Sequence, residues 1–271
     1  MNAIQHGKVQ FNHEVAPGHF IMSVGVPERF ETPLPGQFVM VRMRNSMDPF
    51  LSRPLSVYSF ERQRNGATLE FLYRIVGKGT ACLSRLREGE GIDLLGPLGN
   101  GFHTPSSIDH AVLVAGGVGV APLTYLACHY RRRISSFLKI TCYLGAKSAA
   151  DIIGLERLQD FCSEVIVSTD DGSQGVCGVV TDALAWDARN RAGNAEFIYA
   201  CGPRAMMKCL SEQIAEDDVP CQVSLEERMA CGVGACLGCA VALRNRMGGL
   251  YHGRVCKDGP IFNIRRVNWD E

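Results

Sequence analysis

Four cysteines near the C-terminus constrain this chain more than any other feature of its sequence. Cys231, Cys236 and Cys239 are spaced as Cys-x4-Cys-x2-Cys, and Cys256 follows after sixteen further residues. Plant-type [2Fe–2S] clusters are held by four thiolates with this spacing, whereas zinc sites favour two Cys-x2-Cys pairs or mixtures of Cys and His. The spacing therefore predicts a [2Fe–2S] cluster, with a zinc site or unligated thiols as the alternatives.

The residues around these cysteines suit a metal centre that organises its own surroundings. Glycines between the first three cysteines let the backbone wrap a cluster and direct its N–H groups at sulfur. The segment 221–271 has few long periodic stretches, so a metal centre is expected to hold it together. The other cysteines, such as Cys128, Cys142 and Cys162, stand in apolar stretches and are expected to be buried small side chains.

Two different patterns precede this segment and predict two domains. Residues 1–103 contain short runs of β-branched and aromatic residues between turn residues, which predicts an antiparallel β-barrel. In residues 104–220, apolar runs typical of strands alternate with stretches whose apolar residues have helical spacing. This alternation predicts a doubly wound α/β domain with a parallel sheet. The expected strands of the first domain include 37–43, 54–60 and 67–76, with one helix near 79–87. The expected helices of the second domain include 151–162, 178–186 and 203–216.

Two short stretches of the first domain carry groups that suit a diphosphate. One is Arg53-Pro54-Leu55-Ser56 at the start of a strand, and the other contains Leu72-Tyr73-Arg74 with Gly79 and Thr80 further on. The two arginines could neutralise a diphosphate, and the N–H groups at the start of the expected helix could bind an anion. Each stretch alone also fits a solvated arginine or an ordinary helix cap, but together they are more specific.

The second domain carries a glycine turn between a predicted strand and a predicted helix. Gly116, Gly117 and Gly119 would let a dinucleotide diphosphate approach the backbone. Cys201, Gly202 and Pro203 end a later strand, where ligands of open α/β sheets bind. The loop 169–173 could contact a ribose, although an Asp-Gly turn would look the same. Lys147 would suit the 2′-phosphate of NADP, whereas Asp151 nearby argues for NAD, and we favour NAD.

The composition excludes several other classes of function. The chain of 271 residues has 28 basic and 28 acidic side chains, so it offers no electrostatic case for nucleic acid. No apolar run approaches the ~20 residues that span a bilayer, and the N-terminal stretch has no apolar core of a signal peptide. We therefore expect a cytoplasmic protein that binds neither nucleic acid nor membrane.

The two arginine-containing stretches of the first domain and the glycine turns of the second domain together resemble the ferredoxin reductase superfamily. The resemblance implies FAD on Arg53, Pro54, Leu55, Ser56, Leu72, Tyr73, Arg74, Gly79 and Thr80. It implies NAD on Gly116, Gly117, Gly119, Cys201, Gly202 and Pro203, with Cys201 as a catalytic residue beside the nicotinamide. The superfamily often has Arg-x-Tyr-Ser, whose tyrosine covers the flavin. Leu55 stands at that tyrosine here, so Tyr58 and Tyr73 are the candidates to shield the ring.

The whole chain is similar to the electron transfer subunits of dihydroorotate dehydrogenase B. The order of its parts, its cysteine spacing and its ending at 252–262 carry this resemblance. The resemblance implies a partner, the FMN-containing catalytic subunit, in a heterotetramer of two subunits each. Electrons from dihydroorotate would then pass through the cluster and FAD to NAD⁺.

The motifs leave three other assignments open. The first is a flavin and iron–sulfur subunit of a cytosolic hydrogenase, a sulfite reductase or a ferredoxin:NADP oxidoreductase. The second is a self-sufficient reductase of an oxygenase, and the third is a redox sensor that uses the cluster as a signal. No resemblance to a DNA-binding module supports the last of these.

Overall fold

The computed structural model describes residues 4–44, 48–105, 107–134, 137–188, 196–245 and 247–270. Its N-terminal part is a closed antiparallel barrel with strand order β1-β2-β5-β4-β3-β6. The strands are β1 (Gln5–Ala16), β2 (His19–Val26), β3 (Phe38–Met43), β4 (Arg53–Gln63), β5 (Gly66–Arg74) and β6 (Gly91–Leu98). The helix α1 (Lys78–Leu83) lies between β5 and β6. The predicted barrel and its three predicted strands are confirmed, and the predicted helix is shorter than expected.

Alternation along the strands builds the barrel core. Ala67, Leu69, Phe71 and Tyr73 are every second residue of β5, and all four lie in the core of the barrel. Leu72 points the other way and packs in the core of the second domain. Successive side chains of a strand face opposite sides, so β5 serves both cores at once.

The second domain is a parallel sheet with helices on both faces, as the sequence predicts. Its parallel strands are β7 (His110–Gly116), β8 (Lys139–Ala146), β9 (Glu164–Thr169), β10 (Val176–Cys177), β11 (Glu196–Cys201) and β12 (Cys221–Ser224), in the order β10-β9-β8-β7-β11-β12. The helices are α2 (Val120–His129), α3 (Leu155–Phe161), α4 (Val180–Ala188) and α5 (Arg204–Gln213). Every residue of β7 is buried, which is typical of a central strand covered on both faces.

The helix predicted at 151–162 is interrupted near its start. Gly154 has a φ of +72°, so the α-helix begins only at Leu155 and a short 3₁₀ turn, Ala149–Asp151, precedes it. The left-handed backbone cannot continue a right-handed helix, which explains the difference.

The cysteine-rich segment joins both domains. Its hairpin consists of β13 (Ala240–Arg244) and β14 (Leu250–Arg254), and β15 (Ile261–Asn263) then adds to the parallel sheet as an antiparallel strand beside β12. Since β12 also belongs to that sheet, the sheet extends past residue 220 on both sides of the four cysteines. Asn100 of the barrel donates a hydrogen bond to the Asp258 carbonyl at 3.0 Å.

Contacts between the barrel and the second domain are polar as well as apolar. The Tyr125 hydroxyl of α2 donates to the Pro33 carbonyl at 2.9 Å. Arg157 of α3 forms an ion pair with Glu70 of β5 at 2.5 Å and lies over the Tyr58 ring. None of the helices in the described part of the chain has the length and apolar character that crossing a membrane requires.

Candidate functional site

The loop between β12 and β13 turns its backbone N–H groups toward sulfur. The N–H groups of Val233 and Ala235 donate to the Cys231 sulfur at 3.4 and 3.3 Å. The N–H of Gly234 donates to the Cys256 sulfur at 3.1 Å. Hydrogen bonds from backbone amides favour an ionised sulfur, as a metal-bound thiolate requires.

The four thiols lie as two pairs. The Cys236 thiol hydrogen-bonds to Cys231, and the thiols of Cys239 and Cys256 do the same with each other. Within the described residues, no three Cys, His, Asp or Glu side chains converge as the ligands of one ion would. Two thiolates for each of two irons is the ligand set of a [2Fe–2S] cluster, so these residues fit the predicted group.

The two pairs differ in their surroundings. Cys239 and Cys256 are buried and share a core with residues of both domains, whereas Cys236 is exposed and Cys231 is half-buried. Burial opposes ionisation of Cys231, but the backbone N–H bonds outweigh it and lower the pKa of this thiol to about 6. One edge of the site therefore faces inward and the other faces solvent.

A cleft of about 440 Å³ lies between the barrel and the second domain. Eight of the nine residues that the sequence analysis assigned to FAD line it: Arg53, Pro54, Leu55, Ser56, Leu72, Tyr73, Arg74 and Thr80. The ninth, Gly79, lies under Arg53, since a Cβ on Gly79 would stand 2.0 Å from the Arg53 Nε. Any residue larger than glycine at position 79 would therefore displace the Arg53 guanidinium from its present position.

Charge in this cleft suits an anionic cofactor. In the described part of the chain, the Arg53 guanidinium donates to two carbonyls, those of Leu51 at 2.6 Å and Ser52 at 3.2 Å. Within the described residues neither Arg53 nor Arg74 forms an ion pair with a carboxylate. Two unneutralised guanidinium groups at one cleft fit the diphosphate of FAD.

Two tyrosines were candidates to shield a flavin ring, and the structure separates them. Tyr73 lines the cleft, although its hydroxyl is turned away and donates to Asn12 at 3.0 Å. The Tyr58 side chain extends instead from β4 toward α3, where the Arg157 guanidinium lies 4.7 Å from the centre of its ring. Thr80 uses its hydroxyl within its own turn, where it accepts the N–H of Val76 at 2.9 Å.

A second cleft of about 300 Å³ opens at the carboxyl ends of β7 and β11. Its lining includes the predicted nucleotide residues Gly116, Gly117, Gly119, Gly202 and Pro203. The two glycine turns pack directly on each other. A Cβ on Gly119 would stand 2.1 Å from the Cys201 carbonyl oxygen, and one on Gly202 would stand 3.0 Å from the Gly116 nitrogen.

Cys201 is the one predicted nucleotide residue whose side chain lies below this surface. It is 1% exposed and hydrogen-bonds to Ser224. Burial raises the pKa of the Cys201 thiol, and the nearby Glu226 carboxylate raises it further, so the thiol stays protonated. The backbone carbonyl of Cys201, rather than its sulfur, packs against Gly119 of the glycine turn.

The loops that could contact the adenosine ribose are fixed by their own hydrogen bonds. Asp171 accepts from the Ser173 backbone N–H at 2.9 Å and from its hydroxyl at 2.6 Å, which lowers the pKa of Asp171. The Ala149 N–H donates to the Ser173 hydroxyl at 2.7 Å and joins this loop to the one after β8. Lys147 is exposed beside them.

The segment between β12 and the cysteine loop is the part of the site that the sequence did not reveal. Leu225, Glu226 and Glu227 line both clefts, together with Val118 and Arg74. The two clefts therefore lie side by side and share part of their walls. Arg228 and Met229 line the larger cleft only, immediately before the loop that begins at Cys231. No periodicity or glycine pattern marks this segment, and only its place before the cysteines could have pointed to it.

A barrel with a cofactor cleft, a nucleotide-binding sheet and an iron–sulfur segment define a ferredoxin reductase-like oxidoreductase with a terminal cluster domain. Two family models match the chain. The iron-sulfur cluster binding domain of dihydroorotate dehydrogenase B matches residues 226–268, and the oxidoreductase NAD-binding domain matches residues 113–212.

Curated relatives extend this match over the full length. The chain is 39% identical to the dihydroorotate dehydrogenase B (NAD(+)) electron transfer subunit of Desulforamulus reducens, over 100% of both chains. It is 40% identical to the same subunit of Geobacillus kaustophilus over 86% of each chain. The chain belongs to the family of dihydroorotate dehydrogenase B electron transfer subunits.

Solved structures agree with the fold. The NADH-dependent reduced ferredoxin-NADP oxidoreductase, studied for flavin-based electron bifurcation, superposes with a TM-score of 0.82. It shares 31% identity and covers 97% of this chain and 90% of its own. A ferredoxin NADP+ reductase from Neisseria gonorrhoeae superposes with a TM-score of 0.64 at 17% identity, covering 79% of this chain and 92% of its own, and shares the fold.

Proposed function

We propose that this chain is the electron transfer subunit of an NAD-dependent dihydroorotate dehydrogenase. It would carry electrons from an FMN-containing catalytic subunit through a [2Fe–2S] cluster and FAD to NAD⁺, in pyrimidine biosynthesis. The observation that carries the proposal is that the two clefts and the cysteine loop adjoin one another. The two clefts share a wall, and the lining of the larger cleft includes Met229, two residues before the first cluster cysteine.

Each part of the chain has a defined task in this proposal. Arg53 and Arg74 neutralise the FAD diphosphate, and Ser56 and Leu72 line the rest of that cleft. The turns at Gly116–Gly119 and Gly202 admit the NAD diphosphate to the backbone, and the Cys201 carbonyl packs against Gly119. When bound in this cleft, FAD would supply hydride exchange with a nicotinamide and one-electron exchange with a cluster.

The exposed edge of the cluster site is the proposed exit to the partner. Cys236 is exposed there, and Leu237 and Val233 beside it are 63% and 49% exposed. Exposed apolar side chains around a redox centre suit a protein interface. The partner would be the catalytic subunit that oxidises dihydroorotate, in a heterotetramer of two subunits each. NAD(H) remains the proposed nucleotide.

The decisive experiment mixes the purified, cofactor-loaded chain with the dihydroorotate-oxidising subunit from the same source. We expect NADH to form from dihydroorotate and NAD⁺ only when both subunits are present. We expect Cys236→Ser to abolish this coupling while NADH still reduces the bound FAD, because that step needs no cluster. Equal loss of both activities with FAD still bound would contradict the role of the cluster as an exit.

A second candidate follows from the 31% identity to the reduced ferredoxin-NADP oxidoreductase structure. In that case the chain would exchange electrons with a ferredoxin-dependent partner. A parallel assay measures NAD(P)H formation with reduced ferredoxin, in place of dihydroorotate, as the electron donor. Ferredoxin-driven NAD(P)H formation without any dihydroorotate coupling would select this alternative and refute the primary proposal.

A further inference from the structure

Two cysteines away from the cysteine loop lie in contact with each other in the second domain. Cys142 is on β8 and is buried in the core that α3 covers, whereas Cys162 directly follows α3 and is half-buried. Their thiols share a hydrogen bond. Neither side chain is among the described residues that line the two clefts, so neither the cofactor sites nor the cluster site uses this pair.

Backbone hydrogen bonds hold Cys162 beside β8. The Cys162 N–H donates to the Leu158 carbonyl at 2.8 Å in the last turn of α3. The Ser163 N–H donates to the Ile140 carbonyl at 2.7 Å, and the Ile140 N–H donates to the Ser163 hydroxyl at 3.2 Å. Cys142 stands two residues after Ile140 and therefore on the same face of the sheet. The end of α3 thus places the Cys162 side chain against Cys142.

The two thiols differ in access and in acidity. Cys142 is 0% exposed, and the hydrogen bond with Cys162, followed by burial, raises the pKa of the Cys142 thiol. Cys142 therefore keeps its proton and donates its S–H to the Cys162 sulfur. Because Cys162 is only half-buried, a small reagent from solvent can reach it. An accessible sulfur in contact with a hidden thiol is the arrangement of an attacking and a resolving cysteine.

We infer that Cys142 and Cys162 form a reversible dithiol–disulfide pair, oxidised by low-molecular-weight disulfides such as glutathione disulfide. The Cys162 thiol gives its proton to water, and its sulfur attacks one sulfur of glutathione disulfide as that S–S bond breaks and one glutathione thiolate leaves. Cys142 then loses its proton, and its sulfur attacks the Cys162 sulfur as the second glutathione thiolate leaves. Both thiolates take up the released protons. The two cysteines lose two electrons in total, and glutathione disulfide gains them.

The disulfide would tie the end of α3 to β8. This helix carries Arg157, whose ion pair with Glu70 joins the nucleotide domain to the barrel. A cross-link removes open arrangements of the chain between the residues that it joins, here 142–162. Oxidation would therefore make α3 open less often and keep Arg157 at the barrel.

Glutathione redox buffers test the pair in the FAD-loaded and cluster-loaded chain without oxygen. After alkylation of free thiols and digestion with trypsin, mass spectrometry detects a link between peptide 140–147, which holds Cys142, and peptide 158–189, which holds Cys162. The second peptide also holds Cys177, which is exposed on β10, so Cys177→Ser is the matched control. Cys162→Ser removes the attacking sulfur, and Cys142→Ala replaces the buried partner with another small side chain.

We expect the link to form as the ratio of glutathione disulfide to glutathione rises, both in the unmodified chain and in Cys177→Ser, and dithiothreitol to reverse it. Hydrogen exchange of the α3 amides should become at least about tenfold slower on oxidation. Neither the link nor the slower exchange should appear in Cys162→Ser or Cys142→Ala.

Reaction of Cys177 with glutathione without any link to peptide 140–147 would overturn the inference. So would a Cys162 that stops at the mixed disulfide with glutathione, or an α3 whose exchange stays the same once the link has formed. FAD content and cluster absorbance are recorded on the same samples, and a link found only where cluster absorbance is lost would also overturn it. None of these results depends on a partner subunit or on dihydroorotate, so the proposed function stands or fails separately.

Discussion

Replacing Arg157 with methionine should loosen the contact between the barrel and the nucleotide domain. Arg157 lies on α3 of one domain, and both its partners, Glu70 and Tyr58, lie on barrel strands. Its side chain is 31% exposed and that of Glu70 is 16% exposed. Burial disfavours the Arg157 charge, but the hydrogen bond and the charge of Glu70 outweigh it and raise the pKa of Arg157.

The expected cost follows from these contacts. A hydrogen bond between charged groups contributes about 1.5–3 kcal/mol, and a cation–π contact adds about 0.5–1 kcal/mol at a partly exposed site. Since a third of the Arg157 side chain meets water, we take the lower part of the sum, about 2 kcal/mol. That corresponds to a loss of about 30-fold in the equilibrium that keeps the domains docked.

Urea unfolding of the FAD-loaded chain, followed by flavin fluorescence and far-ultraviolet circular dichroism, measures this loss. A double-mutant cycle of Arg157→Met with Glu70→Gln isolates the pair, and we expect a coupling free energy of about 1–2 kcal/mol. Arg132→Met is the matched control, because Arg132 and Glu61 join the same domains but are 56% and 55% exposed. That variant should cost under about 0.5 kcal/mol. Equal costs for the two arginines, or no coupling to Glu70, would refute the reasoning.

Three glycine substitutions test the clefts themselves. Gly79→Ala should weaken FAD binding about tenfold in a fluorescence titration with little change in unfolding free energy, because its Cβ displaces only the flexible Arg53 guanidinium. Unaltered FAD affinity would mean that Arg53 does not hold the cofactor. Gly119→Ala should instead lower the unfolding free energy by about 3 kcal/mol or more, since its Cβ meets the Cys201 carbonyl of the backbone. Gly77→Ala is the control for both, because nothing lies within 4 Å of its Cβ and its φ of 174° suits any residue.

The sequence predicts much of this protein because its main signals are local. Apolar alternation predicts barrel strands such as β5, and the glycine turn after β7 needs only the residues on either side of it. The four cysteines needed one spacing rule, and the structure brings their thiols together as two pairs. The helix expected at 151–162 begins only at Leu155, because Gly154 has a left-handed φ of +72° and glycine is compatible with either conformation.

Only the tertiary structure decides which distant residues share a site. Tyr73 and Tyr58 are equivalent candidates in the sequence, yet only Tyr73 lines the cofactor cleft while Tyr58 supports the domain contact. Glu226 looks like one of two ordinary surface acids in the sequence, yet it lines both clefts because β12 ends between the two domains. The sequence by itself determined the local turns, strands and metal-ligand spacing, since those depend on neighbouring residues. The placing of two clefts side by side arises from packing across more than a hundred residues, which no local pattern encodes.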